Sequence, residues 1–316
     1  MESVLLEKFP TAQAPHVLFF GMQSNFSSPS LIALLESGVD VDAVVIPALP
    51  LPGIKPLPIR RLEPPTRRPI LPLVHTLSSL LHIAWERQIP VWEVSSLKHA
   101  QTLSVLRGYE PDFLCVACFS LLIPSSVLSL PRSGCLNVHP ALLPANRGPV
   151  PLFWTFREGD EHSGVTIHLM EERMDSGAIL AQERFVMPEG IRYEQLEAEC
   201  ARRGGLLLAR TTWEFFKGNA QPVPQDETKS SYYSFPTEAD LVVVPQEWSA
   251  RHLYNFIRGV AAWNGPAELH IADKHILVYD ALSYILDEPD QRAEDSVVSS
   301  ELIVTCKDGY VRVLLN

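Results

Sequence analysis

The sequence predicts an α/β protein: a Rossmann-like, mostly parallel sheet followed by a small β-rich C-terminal domain. Three observations carry this. Short apolar runs alternate with helix-like amphipathic segments through the first two thirds of the chain. That order implies parallel strands joined by helices on both faces of a sheet. The apolar runs are nearly continuous, as strands buried on both faces require. The last part of the chain instead carries several short strands.

The elements follow in order. His16-Val17-Leu18-Phe19-Phe20-Gly21 reads as a buried strand ending in glycine. Ser28-Pro29-Ser30 then opens an amphipathic helix over Leu31 to Glu36, with serine and proline in the positions that favour a helix start. Val41 to Ile46 is a second strand, Thr76 to Arg87 a helix, Ile89 to Trp92 a short strand and Leu97 to Leu106 a further helix. Asp112 to Cys118 and Cys135 to Val138 are the next strands. Gly164 to Met170 alternates as a strand, and Gly177 to Val186 continues as another. Arg192 to Phe216 is a long helix that Gly218 and Asn219 can end. Ala220 to Pro236 is polar and contains prolines. Beyond it come a helix over Ala250 to Arg258 and strands near Glu268–Ile271, Ile276–Tyr279, Ser300–Cys306 and Tyr310–Leu315. The expected division is 1–217 for the first domain, 218–237 for a linker and 238–316 for the β-rich domain.

Composition narrows the class. The chain has 316 residues, 46% hydrophobic and 20% charged, which is ordinary for a globular protein. No apolar run approaches the roughly 18 residues that span a membrane, and the N-terminus has no basic region leading into a long apolar core. No membrane partner is expected. Five cysteines at irregular spacing fit a reducing, cytoplasmic location. Cys115 and Cys118 form a C-x-x-C, but within an apolar strand the two would face opposite sides and could not share a metal. The net charge of −11 argues against non-specific binding to nucleic acid. From Ser230 onward 6 Lys and Arg stand against 13 Asp and Glu, a balance of −7. One basic cluster opposes the trend: Lys55, Arg60, Arg61, Arg67 and Arg68. It lies in Pro47 to Pro72, a segment long for a plain connection, which reads either as a solvated loop or as one that meets an anionic partner.

The turn after the first strand, Gly21-Met22-Gln23-Ser24-Asn25-Phe26, lacks the G-x-G-x-x-G of dinucleotide sites. No P-loop, no H-E-x-x-H and no G-x-S-x-G is present, and no metal is expected. What remains is Asn137-Val138-His139 at a strand end, with Asp175 further on. Residues two apart on a strand share a face. An asparagine NH2 can donate to a developing oxyanion, and a histidine beside it can donate too if a carboxylate sets its tautomer. That set suits acyl or formyl transfer without a covalent enzyme intermediate.

Gly134 to Pro144, then Arg147-Gly148, Ser163-Gly164-Val165-Thr166-Ile167 and Met174-Asp175-Ser176-Gly177 together resemble, in order and spacing, the core of the folate-dependent formyltransferase family. The resemblance covers about 45 residues, and further likeness to the methionyl-tRNA branch runs from the first strand into the tail. It implies that 1–217 is a formyltransferase catalytic domain and that the tail is an OB-like barrel. It implies 10-formyltetrahydrofolate as formyl donor. Asn137 would bind the formyl oxygen, His139 would stabilise the oxyanion, and Asp175 would hold His139 and help deprotonate the amine. Phe119, Ser120, Leu121, Leu122 and Ile123 would form one wall of the pterin pocket, with Met170 and Met174 on the other. Lys55, Arg60, Arg61, Arg147 and Gly148 would serve the acceptor, although Arg147 suits a structural ion pair equally well. His168 reads as a packed or rim histidine, and Glu171 and Glu172 as a solvated loop.

The resemblance leaves the acceptor open. The methionyl amine of initiator methionyl-tRNA is the leading reading, because Ser249 to Gly259 and Trp263-Asn264-Gly265-Pro266 match the opening of that branch's tRNA-holding barrel. The acidic tail opposes tRNA, and Pro151-Leu152-Phe153-Trp154 is closer in wording to the nucleotide-sugar enzymes. N-formylation of a nucleotide-linked amino sugar is therefore one alternative, and hydrolysis of 10-formyltetrahydrofolate is another.

Overall fold

The computed structural model describes residues 13–49, 53, 56–65, 79–286, 297–298 and 300–315. Lys55, Arg67, Arg68 and the helix start expected at Thr76 lie outside them. The chain forms two compact units that interleave in sequence. One comprises 1–145, 164–183 and 198–230; the other comprises 146–163, 184–197 and 231–316.

Among the described residues the first unit is organised on an eight-stranded sheet. Its elements are β1 (His16–Gly21), α1 (Ser27–Glu36), β2 (Asp40–Pro47), β3 (Ile59–Leu62), α2 (Leu80–Glu86), β4 (Val91–Val94), α3 (Ala100–Arg107), β5 (Phe113–Ala117), α4 (Ser125–Leu128) and β6 (Gly134–His139). After α5 (Pro151–Arg157) the sheet is completed by β7 (His162–Leu169) and β8 (Ile179–Val186), followed by the 24-residue α6 (Tyr193–Phe216). Strand order is β3-β4-β2-β1-β5-β6-β7-β8. The run from β4 to β6 is parallel, while β3 and β7 pair antiparallel with β4 and β6.

This order marks a candidate ligand position. From β1 the chain moves one way to β2 and later returns to add β5 on the other side. The carboxyl ends of β1 and β5 therefore flank the point where the winding reverses, the usual ligand position in such sheets. The turn there is tied down: the Ser27 hydroxyl donates to Ala117 O at 2.6 Å and accepts from Met22 N at 2.9 Å. Both faces of the sheet are buried. Leu18, Phe20, Ala43, Val45, Leu114 and Val116 fill one side. Their strand neighbours Val17, Phe19, Val44, Phe113 and Cys115, also buried, face the other.

Two expectations are revised. The Pro47 to Pro72 stretch is not one connection, because β3 lies inside it as an edge strand. Edge strands tolerate charge, and Arg60 on β3 forms an ion pair with Glu93 while Arg61 lies 3.4 Å from Glu63. The strand expected to reach Cys118 ends at Ala117, so Cys118 is exposed while Cys115 is fully buried.

In the second unit the chain runs through β9 (Val242–Val243), α7 (Ala250–Asn264), β10 (Ala267–Ile271), β11 (Lys274–Val278), β12 (Asp280–Leu286), β13 (Val297–Val298), β14 (Glu301–Cys306) and β15 (Gly309–Leu314). These strands form sheets of order β11-β10-β9 and β12-β15-β14-β13. The Ser249 side chain accepts from His252 N at 3.2 Å and caps α7. Leu253, Phe256, Ile257 and Val260, at helical spacing, are all buried. Arg192 and Arg258 converge on Asp280 at 2.6 and 3.4 Å.

Candidate active site

Asn137 and His139 stand at the carboxyl end of β6, as the strand period requires. Register with the antiparallel β7 sets Asn137 opposite His168 and His139 opposite Thr166. The loop after His139 is held from β7 and β8. The Thr166 hydroxyl donates to Ala141 O at 2.6 Å and accepts from Leu143 N at 3.2 Å. The Gln182 amide donates to Leu143 O at 2.7 Å and to the Thr166 hydroxyl at 2.9 Å.

Asp175 comes from the loop between β7 and β8. Its backbone sits at φ 54°, in the left-handed region that non-glycine residues seldom occupy. The loop is braced from afar: the Gln225 amide donates to Asp175 O and to Gly177 O, both at 2.7 Å. Gly177 has no alternative, since a Cβ there would fall 1.9 Å from Leu169 O. So held, the Asp175 carboxylate lies 3.7 Å from His139 Nδ1 and 3.6 Å from His168 Nε2. Both distances are longer than hydrogen bonds.

His168, expected as a packed or rim histidine, is packed, but it also belongs to the site. Its side chain is 1% exposed, against 4% for His139 and 12% for Asp175. His168 Nδ1 is 2.8 Å from Leu169 O and Nε2 is 3.1 Å from Asn137 Nδ2. A carbonyl can only accept, so Nδ1 carries a proton. In the neutral ring Nε2 must then accept, and the Asn137 NH2 donates to it. One amide proton of Asn137 is thus engaged and the other is left for a ligand. Sequence reasoning missed this brace because the pairing register of β6 with β7 is not written in either strand. It missed Gln225 because Ala220 to Pro236 read as a polar linker.

The expected pterin walls are adjacent. Phe119 and Leu121 after β5, and Met170 after β7, pack against one buried cluster that includes Phe20, Val116 and Ile123. Phe119 meets Phe20 edge-on, 5.1 Å between ring centres. The Ser125 hydroxyl donates to Glu172 at 2.5 Å, joining the segment after Ile123 to the loop between Met170 and Met174. Ser120 is exposed. Leu122 at 72% and Met174 at 41% are large apolar side chains left exposed on these two segments.

Arg147 and Gly148 belong to the second unit, where Arg147 is 2% exposed. Its backbone accepts from Tyr233 N at 2.9 Å and donates to Ser231 O at 3.0 Å. A Cβ on Gly148 would fall 1.9 Å from Tyr233 O, so this turn needs glycine. Glu171 and Glu172 are exposed, as expected.

A strand-end amide and imidazole stand at the carboxyl edge of a doubly wound sheet with a carboxylate across from them, a set of groups whose chemistry suits a developing oxyanion. The chain belongs to the formyl transferase family, whose profile matches residues 67–212. It is similar to a methionyl-tRNA formyltransferase of Synechocystis sp., 35% identical over 255 residues, covering 77% of this chain and 69% of the relative. It is similar also to a methionyl-tRNA formyltransferase of Syntrophus aciditrophicus, 31% identical over 299 residues, covering 93% of this chain and 88% of the relative. The fold matches an N-formyltransferase of Helicobacter canadensis, solved with folinic acid and dTDP-3-aminofucose. That match has a TM-score of 0.64 and 16% identity, and covers 94% of this chain and 98% of that one. The chain is thus a formyltransferase. Among the described residues no helix is long and apolar enough to cross a membrane.

Proposed function

We propose that this chain transfers the formyl group of 10-formyltetrahydrofolate to the methionyl amine of initiator methionyl-tRNA. The observation that carries the reaction is the convergence of Asn137, His139 and Asp175 in one small, mostly buried site. The NH2 of Asn137 donates to the formyl oxygen. As the amine attacks the formyl carbon, charge builds on that oxygen, and His139 donates to it from the same strand face. Asp175 holds the imidazole and takes up a proton from the attacking amine, directly or through water. As the bond from the formyl carbon to the folate nitrogen breaks, that proton passes to the leaving nitrogen, tetrahydrofolate is released, and no covalent enzyme intermediate forms.

In this reading the donor lies between the two walls. Phe119 to Ile123 on one side, with Met170 and Met174 on the other, offer an apolar slot in which an aromatic pterin covers the exposed Leu122 and Met174. Lys55, Arg60, Arg61, Arg147 and Gly148 serve the acceptor in this reading. We assign 1–217 to catalysis, 218–237 to a linker and 238–316 to a C-terminal barrel, and we assign the protein to the cytoplasm. The acceptor is chosen because relatives over most of the chain bear that name.

The second reading is N-formylation of a nucleotide-linked amino sugar. It is favoured by the acidic C-terminal segment and by the fold match over nearly the whole of a sugar-related enzyme. A competition assay separates the two. Offered charged initiator methionyl-tRNA and a dTDP-linked amino sugar together, the protein should formylate the tRNA. Transfer to the sugar alone would move the assignment, and release of formate without either would point to a hydrolase.

A further inference from the structure

The β10–β11 hairpin carries a second convergence of chemistry-bearing side chains. The strands pair antiparallel with Ile271 opposite Lys274, leaving only Ala272 and Asp273 in the turn. Ala267, Leu269 and Ile271 are buried beneath the hairpin. The strand period therefore turns Glu268 and His270 to the other, solvent-facing side. The register sets His275 directly opposite His270.

The three polar side chains meet. Glu268 Oε1 lies 2.7 Å from His270 Nε2 and 2.6 Å from His275 Nδ1, and the two ring centres are 3.9 Å apart. One donor atom from each residue falls within 4.8 Å of the others. A solvated sheet face needs no such focus, because any polar side chains satisfy it. Here a single carboxylate oxygen is shared between two imidazole nitrogens that lie side by side.

We propose that Glu268, His270 and His275 form a surface binding site for a divalent transition-metal ion, zinc foremost. Two imidazole nitrogens and one carboxylate oxygen suit zinc, copper and nickel. Calcium and magnesium take oxygen ligands instead, so they are excluded as occupants. Tetrahedral zinc with bonds near 2.0–2.1 Å needs donors roughly 3.3 Å apart. A bound ion would therefore spread the two short Glu–His contacts by about half an ångström and take their place. The side chains are 31% to 65% exposed, which leaves the fourth position to water. The ion would clasp β10 to β11 across the turn at Ala272, which sits at φ 52°.

The test uses the full chain, stripped with a chelator, and zinc ion alone as the probe. Zinc competed from a chromophoric chelator should bind at one high-affinity equivalent. His270→Ala and His275→Ala should each weaken it at least tenfold, and Glu268→Gln should weaken it less. The melting temperature should rise with zinc in the parent and not in the His270→Ala/His275→Ala double variant. If that variant misfolds, histidine-ring NMR on the parent decides: the His270 and His275 signals should move together at one equivalent. Zinc affinity unchanged in the double variant, no affinity in the parent, or ring signals moving elsewhere first would overturn the site.

Discussion

Among the described residues stand two sets of two histidines and one carboxylate, and burial separates their chemistry. His139, His168 and Asp175 are nearly sealed, at 4%, 1% and 12% exposure. Glu268, His270 and His275 are open to solvent. In the first set each ring has its own task. His168 is occupied at both nitrogens, by Leu169 O and by the Asn137 amide. The ring centres lie 6.2 Å apart at 82°. Both rings flank the Asp175 carboxylate, at 3.7 and 3.6 Å, but each engages a different oxygen of it. In the second set all three donors face one another. Residue type alone therefore does not announce function. What matters is whether the ring nitrogens are already engaged and where the donors point.

The largest effects should come from the buried set. Asn137→Ala or His139→Ala should lower the rate about 10²-fold or more, the usual cost of an oxyanion donor. Binding of the folate should change far less. A parent-like rate in either variant would break the contrast.

His168→Phe sharpens it. The substitution keeps an aromatic ring in the core but removes the acceptor that orients Asn137. The expected loss in kcat is about tenfold, corresponding to one net hydrogen bond, with KM for the folate little changed. An unaltered kcat would reduce His168 to packing.

Gly177→Ala addresses the Asp175 loop. The added Cβ meets Leu169 O and must displace backbone. A stability loss of about 1–3 kcal/mol is expected by denaturant unfolding, as for other forced overpacking.

Thiol titration is a milder probe of the same burial. Burial pushes the Cys115 and Cys135 thiols up to about 12, and Cys200 and Cys306 are buried too. A thiol reagent should modify one cysteine in the native protein, Cys118, and all five after denaturation. Two or more native modifications would contradict the burial.

The smallest effect concerns α6. Hydrogen bonds from Arg202 and Arg203 hold the Glu199 carboxyl down at about 2 against its usual 4.5. The folded-state value is the lower one, so its contribution is fully present above about pH 4.5 and fades as pH falls toward 2. The partners are partly exposed, which limits it to at most about 1 kcal/mol. Glu199→Gln should slightly flatten the acid limb of stability between those values.

The parts legible in the sequence were those set by local periodicity. Apolar runs gave β1, β2 and β5, and helical spacing gave α6 and α7. The two-residue spacing of Asn137 and His139 put them on one strand face. Longer-range pairing was not legible. β3 was hidden because an edge strand of four residues with two arginines looks like loop. His168 depended on the β6–β7 register, and Gln225 acts on a loop 50 residues before it. The Glu268–His270–His275 focus needed both strands of a hairpin and their exact pairing to be seen.

The most direct test of the central claim is single-turnover formyl transfer from 10-formyltetrahydrofolate to methionyl-tRNA, comparing the parent with His139→Ala. The parent should transfer rapidly and the variant at a rate at least about 10²-fold lower, with folate still bound. Equal rates in the two proteins would contradict that claim.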